Sequence, residues 1–292
     1  MKIKQLKRGI ALLIVIASLL MLCACKKPEP VSTDKAYEQL KTAAMTTVKT
    51  KELCITIQGN VTYTTKEELS EENTNQATTE TGAIDIAIQI KTDENNEITE
   101  KCIWIKLLDE DGSGLIIENY YKDGNQYSYS NFIGETYTYT EDAEPDTFEP
   151  ATADTEELNA LIDKLLAKLP EPEATVLKDE YTLVWTVTNE NLKQYIEAFL
   201  YVEEENLTDA EIAQKANEIV GGITLEKELK LTVKIKDGTL TYASADFNVT
   251  FNDTSCQGNV AFEMSLKNIT VSYPEGRLDE IKEKSEEKSE QQ

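Results

Sequence analysis

The segment Ile84-Asp-Ile-Ala-Ile-Gln-Ile-Lys91 places an isoleucine at every second position. Successive side chains of a β-strand point to opposite faces of a sheet, so this period of two puts all four isoleucines on one face. A strand with one apolar face and one more polar face is typical of an antiparallel sheet that is covered on one side. The segment therefore predicts a half-buried antiparallel strand, and the rest of the chain is interpreted around it.

The same alternation recurs on both sides of this segment. It predicts further strands over residues 53–63, 98–108, 115–121, 127–129, 137–139, 181–187, 229–235, 240–251 and 260–273. In the range 240–251 the first apolar residues, Leu240 and Tyr242, have even numbers, whereas the apolar residues from Phe247 onward have odd numbers. The range 260–273 also changes from even to odd positions. A change of parity within a strand predicts a β-bulge, and two adjacent bulged strands predict a strongly curved sheet.

Four other ranges repeat apolar residues at the helical spacing. They are residues 33–49, 158–169, 189–200 and 208–220, and the last begins with a capping box formed by Thr208 and Glu211. Together with the strands they predict an α+β fold. We expect one curved antiparallel β-sheet, a half-open barrel, with amphipathic helices packed on its concave face, in a single domain over residues 33–275. The charged residues 276–292 are predicted to be a flexible tail.

The composition of the chain argues against several classes of function. The 292 residues have a formal net charge of −25, so we expect no basic surface for nucleic acid. The chain has no histidine, which removes the commonest general base and neutral metal ligand. Residues 109–116 match the start of an EF-hand calcium loop, but Tyr120 stands where that loop needs glutamate, which favours a plain hairpin turn. We assign no catalytic residue, no metal ligand and no cofactor, and we predict that the protein is not an enzyme.

Three cysteines lie beyond the N-terminal region, namely Cys54, Cys102 and Cys256. Their spacing matches neither a metal site nor a Cys-x-x-Cys motif. In one interpretation all three are free thiols that are buried or idle. In the other, Cys54 and Cys102 form a disulfide.

The N-terminal region resembles the signal of a bacterial lipoprotein. Basic residues precede an uncharged stretch over residues 9–22, which is short for a membrane span. The stretch leads into Leu22-Cys23-Ala24-Cys25, which resembles a lipobox. This resemblance implies a signal peptide over residues 1–24, cleavage between Ala24 and Cys25, a lipid with acyl chains such as palmitate on Cys25, and a tether over residues 25–32. It also implies a protein anchored to the extracytoplasmic face of the cell membrane, with an uncleaved membrane anchor and a soluble secreted protein as alternatives.

The layout of the chain resembles that of the LolA/LppX-like lipoproteins. The resemblance rests on the lipobox, the short tether, an amphipathic helix that leads directly into an alternating strand over residues 36–63, and a terminal curled sheet that ends in Val271-Ser-Tyr-Pro274. It implies a half-open β-barrel with helices that fill an apolar cavity, which in characterised relatives holds lipid or lipoprotein acyl chains. No short motif matches residue by residue, so the resemblance assigns no ligand-binding residue.

Two functions follow as hypotheses. In the first, the protein binds an apolar ligand or a lipid acyl chain between the helices and the sheet. In the second, it is a structural or protein-interaction lipoprotein of the cell envelope without a small-molecule ligand.

Aromatic residues supply candidate surfaces for both hypotheses. Five of them are candidates to line an apolar pocket, with a place in the ordinary core as the alternative: Trp104, Tyr181, Trp185, Tyr195 and Phe199. Six tyrosines are candidates for an exposed recognition surface, with ordinary sheet packing as the alternative: Tyr120, Tyr121, Tyr127, Tyr129, Tyr137 and Tyr139.

Overall fold

The computed structural model describes residues 28–66, 77–148, 155–203, 207–251 and 254–290. Its strands are β1 (Glu29–Pro30), β2 (Glu52–Lys66), β3 (Ala77–Thr92), β4 (Ile98–Asp109), β5 (Gly114–Lys122), β6 (Asn125–Ser130), β7 (Thr136–Thr140), β8 (Glu173–Leu177), β9 (Glu180–Val187), β10 (Ile223–Leu225), β11 (Leu229–Lys236), β12 (Thr239–Phe251) and β13 (Thr254–Ser265). Its helices are α1 (Thr33–Val48), α2 (Thr155–Leu166), α3 (Leu192–Glu203), α4 (Asp209–Val220) and α5 (Arg277–Glu290).

All of these strands belong to one antiparallel sheet. Its order is β1-β8-β9-β11-β12-β13-β2-β3-β4-β5-β6-β7, and β10 adds a short pairing to β12. The two end strands, β1 and β7, are not paired with each other, so the sheet of the described residues is not closed. The predicted combination of an antiparallel sheet with helices is confirmed.

The predicted signal peptide, the Ala24–Cys25 cleavage site and the lipidation site Cys25 lie outside the described residues. The last part of the predicted tether is not a free linker, because Glu29 and Pro30 pair with Val176 and Thr175 of β8. The amide N–H of Val31 then donates to the carbonyl of Ala174. The folded part of the chain therefore begins a few residues earlier than predicted.

A bulge is present in the range 240–251 as predicted, but it separates Leu240 from Tyr242, which point to opposite faces and not to the same face. Leu240 pairs with Ile235, whereas Tyr242 pairs with Lys234, so Thr241 is the extra residue that changes the parity of β12. The predicted bulge in the range 260–273 is wrong. Strand β13 ends at Ser265, and the chain leaves the sheet through a turn in which Asn268 has φ 53°.

Two glycines bring β2 and β13 unusually close together. A side chain at Gly59 would meet the carbonyl oxygen of Asn259, and one at Gly258 would meet the carbonyl oxygen of Asn60. Only glycine permits such an approach of two backbones. The centre of the sheet therefore depends on these two positions.

The sheet has two large hydrophobic cores on opposite faces, and a smaller third cluster surrounds Ile90 and Ile98. The first is formed by α1 and α3 with strands β9 and β11, and Ala36, Leu183 and Ile235 are fully buried in it. The second is formed by α5 and residues 271–273 on strands β4 to β7. Trp104 packs against this second core, and its neighbour Ile105 points to the other face.

The prediction of a flexible tail over residues 276–292 is wrong for the described residues, because Arg277–Glu290 form helix α5. Ile281 of this helix is fully buried, and Leu278 packs against the same core. The Arg277 guanidinium donates to Glu118 of β5 at 2.6 Å. The prediction considered charge and serine content alone, whereas an apolar pair three residues apart and one arginine are enough to hold the helix on the sheet.

Candidate apolar binding site

A cavity of about 370 Å³ lies between the helices and the sheet. Its walls come from α3, from the segment that follows α2, and from strands β9, β11, β12 and β13. The lining residues are Leu169, Trp185, Tyr195, Phe199, Leu231, Thr232, Val233, Ala243, Ser244, Ala245, Val260 and Phe262. None of them is charged, and the volume lies within the range typical of small-molecule sites.

Helix α3 supplies one wall of the cavity. Tyr195 and Phe199 are four residues apart and therefore lie on the same side of the helix. Tyr195 is 5% exposed, whereas Phe199 is 55% exposed, which places Phe199 at the mouth. Burial raises the pKa of the Tyr195 hydroxyl, so this group stays neutral at physiological pH.

The segment between α2 and β8 supplies the opposite wall, with Leu169 at its centre. Trp185 Nε1 donates to the carbonyl of Pro170 at 3.1 Å. Gln194 Nε2 of α3 donates to the carbonyl of Lys168 at 3.3 Å. These two hydrogen bonds hold the segment against β9 and α3 on either side of Leu169.

Small side chains leave the floor of the cavity open. Val233 is paired with Ala243 and Leu231 with Ala245, so β12 presents methyl groups where its neighbour presents larger side chains. Phe262 of β13 pairs with Ala243 on the other side. Two alanines beside larger residues therefore create the space, and a larger side chain at either position would fill it.

The apolar surface continues from the cavity across the sheet. Phe262 pairs with Ile57, which begins a row of paired isoleucines formed by Ile57, Ile86, Ile105 and Ile117. We call these four residues the isoleucine row. Residues paired across antiparallel strands lie on the same face, and four strand spacings of about 4.8 Å give a path of about 19 Å from Phe262 to Ile117.

No helix covers the isoleucine row among the described residues. Helices α1 to α4 mainly contact strands β8 to β12, and α1 also reaches β13 where the Thr47 hydroxyl lies 3.7 Å from the Met264 sulfur. Helix α5 packs on the opposite face. The four isoleucines are nonetheless only half-exposed. Within the described ranges, the cavity and the isoleucine row together form an apolar groove that no helix covers along most of its length.

The structure brings together three of the five aromatic candidates. Trp185, Tyr195 and Phe199 line the cavity, and Tyr181 packs in the same core without lining it. Trp104 lies on the opposite face, in the second core. Sequence reasoning did not single out the alanines of the floor, because a small residue within an alternating strand has no periodic signal of its own.

The six candidate tyrosines do not form an exposed surface. Four of them, Tyr120, Tyr121, Tyr129 and Tyr137, are buried, and the others are half-buried. Helix α5 places cations over two of the rings, at 4.4 Å for Arg277 over Tyr129 and 4.7 Å for Lys284 over Tyr137. Packing in the second core accounts for most of these tyrosines, whereas Tyr121 lies on the opposite face and packs against Ile90 and Ile98.

The disulfide interpretation of Cys54 and Cys102 is wrong. Both residues pair with Gln89 of β3, on its two sides, so their Cα atoms are about 10 Å apart, beyond the reach of a disulfide. All three described cysteines are free. The Asp111 carboxylate accepts the Ser113 amide N–H within a turn, and the described residues contain no cluster of candidate metal ligands.

Comparisons with known proteins assign no family. No family model matches the chain, and no curated protein matches it. Among solved structures, a β-barrel-like protein of the domain of unknown function DUF1849 from Brucella abortus is similar, with 11% sequence identity and a TM-score of 0.17. The match covers 73% of this chain and 98% of that chain. Within the described part of the chain, no helix is both long and apolar enough to cross a bilayer.

Proposed function

We propose that the protein binds an apolar ligand, a lipid acyl chain or a comparable hydrocarbon, in the groove formed by the cavity and the isoleucine row. The observation that supports this proposal best is a cavity of about 370 Å³ whose lining has no charged residue. Each Å² of apolar surface that leaves water contributes about 25 cal/mol, so an uncharged lining favours hydrocarbon over polar ligands. A hydrocarbon chain that leaves the cavity past Phe262 would lie on the isoleucine row.

The proposed architecture is a half-open barrel of the LolA/LppX-like type, whose concave face is the face of the isoleucine row. The four isoleucines are half-buried although no helix of the described residues covers them, which supports a curl of the sheet. The bulge at Thr241 supports it too, because bulges increase the local twist. A concave face suits an elongated ligand better than the flat surface of another sheet.

The proposed location is the extracytoplasmic face of the cell membrane, with Cys25 as the lipidated N-terminus. The lipobox supports this proposal. Mass spectrometry of the N-terminal peptide tests it. We expect a diacylglycerol on Cys25 that is lost in a Cys25→Ala variant, and an unmodified thiol or an intact precursor would contradict the proposal.

Native mass spectrometry tests the binding function. The protein is extracted gently from its own membranes and weighed before and after treatment with organic solvent. We expect an additional mass that the solvent removes and that corresponds to a lipid or another apolar compound. The proposal fails if the protein has no additional mass and takes up no long-chain alcohol when one is added.

A second candidate function is protein interaction. Phe132 and Ile133, in the turn between β6 and β7, are 72% and 90% exposed. Neighbouring apolar side chains this exposed are a feature of interaction sites. Cross-linking in cells through position 133 tests this candidate. We expect one defined partner when Phe132 is present and its loss in a Phe132→Ser variant with the same cross-linker at position 133, whereas an unchanged pattern of products would contradict it.

A further inference from the structure

Exposed apolar side chains concentrate at one end of the sheet. Phe132 and Ile133 of the β6–β7 turn are the most exposed of the large apolar residues described, at 72% and 90%. Tyr63, Leu107 and Phe251, near the ends of β2, β4 and β12, are exposed as well. Strands β2, β4, β6 and β12 run in the same direction, so they end at the same end of the sheet. Strand β1 also runs in this direction, so the chain enters the sheet at the opposite end.

The β6–β7 turn is held in place by hydrogen bonds on two sides. The Asn131 side chain accepts the amide N–H of Ile116 and donates to the carbonyl of Gly114, both at 2.7 Å. Lys288 of α5 donates to the carbonyl of Glu135 at 2.7 Å. A segment that is already ordered loses little conformational entropy when it binds. The turn therefore presents its two apolar side chains in a form that suits docking.

An acidic turn lies beside this apolar turn. Gly114, the residue that Asn131 contacts, follows the β4–β5 turn, which contains Asp109, Glu110 and Asp111. Three peptide units join Asp111 to Gly114, so their Cα atoms are no more than about 11 Å apart. All three acidic residues are exposed, and none of them makes an ion pair with another described residue.

Position and charge select the kind of surface that fits this end of the molecule. A membrane that holds the proposed lipid on Cys25 would lie at the other end, because only four residues separate Cys25 from Glu29 of β1. A second copy of the chain has the same acidic turn and the same net charge of −25, which repels it. A different protein with basic side chains around an apolar pocket complements both the apolar and the acidic turn.

We infer that the β6–β7 turn docks into another protein, with Phe132 and Ile133 in an apolar pocket and lysine or arginine side chains opposite Glu110 and Asp111. This inference rests on the second candidate function, protein interaction, and does not depend on the apolar ligand. The apolar pair supplies most of the affinity, because exposed ion pairs contribute little. The carboxylates select the partner and accelerate its association.

Photo-cross-linking in cells, through a residue introduced at position 133 of the full-length protein, tests the inference. The double variant E110Q/D111N removes two negative charges beside the turn and keeps an oxygen at residue 111 for the Ser113 amide N–H. We expect the yield of the defined product to fall about fivefold in this variant. We expect mass spectrometry to assign the cross-linked peptide to a segment of another protein that contains lysine or arginine.

The matched control is E141Q/D142N, which removes the same two charges from exposed residues that follow β7 at the other end of the sheet. We expect this control to give the full yield. Equal yields in the two variants, or a product formed by two copies of this chain, would overturn the inference and leave the second candidate function standing. The absence of a protein product in every form, the unmodified acidic turn included, would overturn both.

Discussion

Lys178 and Asp179 adopt left-handed backbone conformations in the two-residue turn between β8 and β9, with φ of 50° and 67°. Such a turn favours Asn-Gly, because these residues tolerate positive φ. We expect the double substitution Lys178→Asn and Asp179→Gly to raise the free energy of unfolding by about 1 kcal/mol. Urea denaturation measures this change. Lys178→Ala is the control and should give no gain, and a loss of stability in the Asn-Gly variant would contradict the assignment of the turn.

Cys102 illustrates how the second core controls reactivity at a single residue. Burial and the nearby Glu118 carboxylate raise the pKa of its thiol to about 12. Because the thiolate is the reactive form, we expect no alkylation of Cys102 by iodoacetamide at neutral pH until the protein unfolds. Peptide mass mapping with and without denaturant measures this. Rapid labelling of Cys102 in the native protein would contradict the burial of the second core.

At the scale of secondary-structure elements, helix α5 depends on one buried carboxylate. Glu118 is 4% exposed and accepts hydrogen bonds from Arg277 at 2.6 Å, with Lys106 at 3.4 Å as a second partner. Removing one partner of a buried ion pair lowers the free energy of unfolding more than removing both partners, because it leaves an unpaired buried charge. We expect Arg277→Gln to destabilise the docking of α5 by about 3 kcal/mol, and Glu118→Gln in the same chain to recover part of this loss.

Hydrogen exchange of the α5 amides measures the docking of this helix. In Arg277→Gln we expect faster exchange over residues 277–290, with little change in strands β9 and β11 of the first core. Equal exchange in the variant and the wild type would contradict the role of the Glu118 pair.

The docking of α5 should also depend on pH. Hydrogen bonds from Arg277 and Lys284 lower the pKa of Glu280 below its ordinary value of 4.5. A carboxyl group with a lowered pKa in the folded state stabilises that state above its ordinary pKa, and the contribution is lost as the pH falls through the lowered value. We expect α5 to lose protection as the pH falls below the ordinary Glu pKa of 4.5, after correction for intrinsic exchange rates. Glu280→Gln should remove this part of the pH dependence, and an unchanged profile in the variant would contradict it.

The elements differ in how far the sequence predicts them. The alternation over residues 84–90 predicts β3, and the change of parity within residues 240–251 predicts that β12 has a bulge, because both are local signals of side-chain direction. The bulge lies at Thr241, before Tyr242, so its exact position was not predicted. The Thr208 and Glu211 capping box is present as predicted. Helix α5 was missed because its burial depends on contacts with Tyr120 and Cys102, which are distant in sequence.

The same distinction applies to the candidate site. Trp185, Tyr195 and Phe199 are large aromatic residues in regular patterns, and the sequence identified them as candidates. The cavity itself depends on Ala243 and Ala245 being paired with larger residues of β11, which is a property of strand order and register. The sequence of β12 alone does not contain that information.

At the scale of the whole molecule, the sheet is covered on opposite faces at its two ends. Helices α1 to α4 cover strands β8 to β12 on one face, and α5 covers β4 to β7 on the other. The isoleucine row lies on the face of the cavity at the end that α1 to α4 do not reach. The groove therefore exists because α1 to α4 and α5 each cover only part of the sheet, on opposite faces. The glycine contact between β2 and β13 lies at its centre.

Titration of a long-chain alcohol into three forms of the protein tests the central claim most directly. Ala245→Leu places a larger side chain on the floor of the cavity, whereas Ala261→Leu makes the same change on the opposite face of the neighbouring strand β13. We expect the wild type and Ala261→Leu to bind the alcohol with similar affinity and Ala245→Leu to bind it at least about tenfold more weakly. Equal binding by Ala245→Leu and the wild type, with both variants folded, would contradict the claim that this cavity is the binding site.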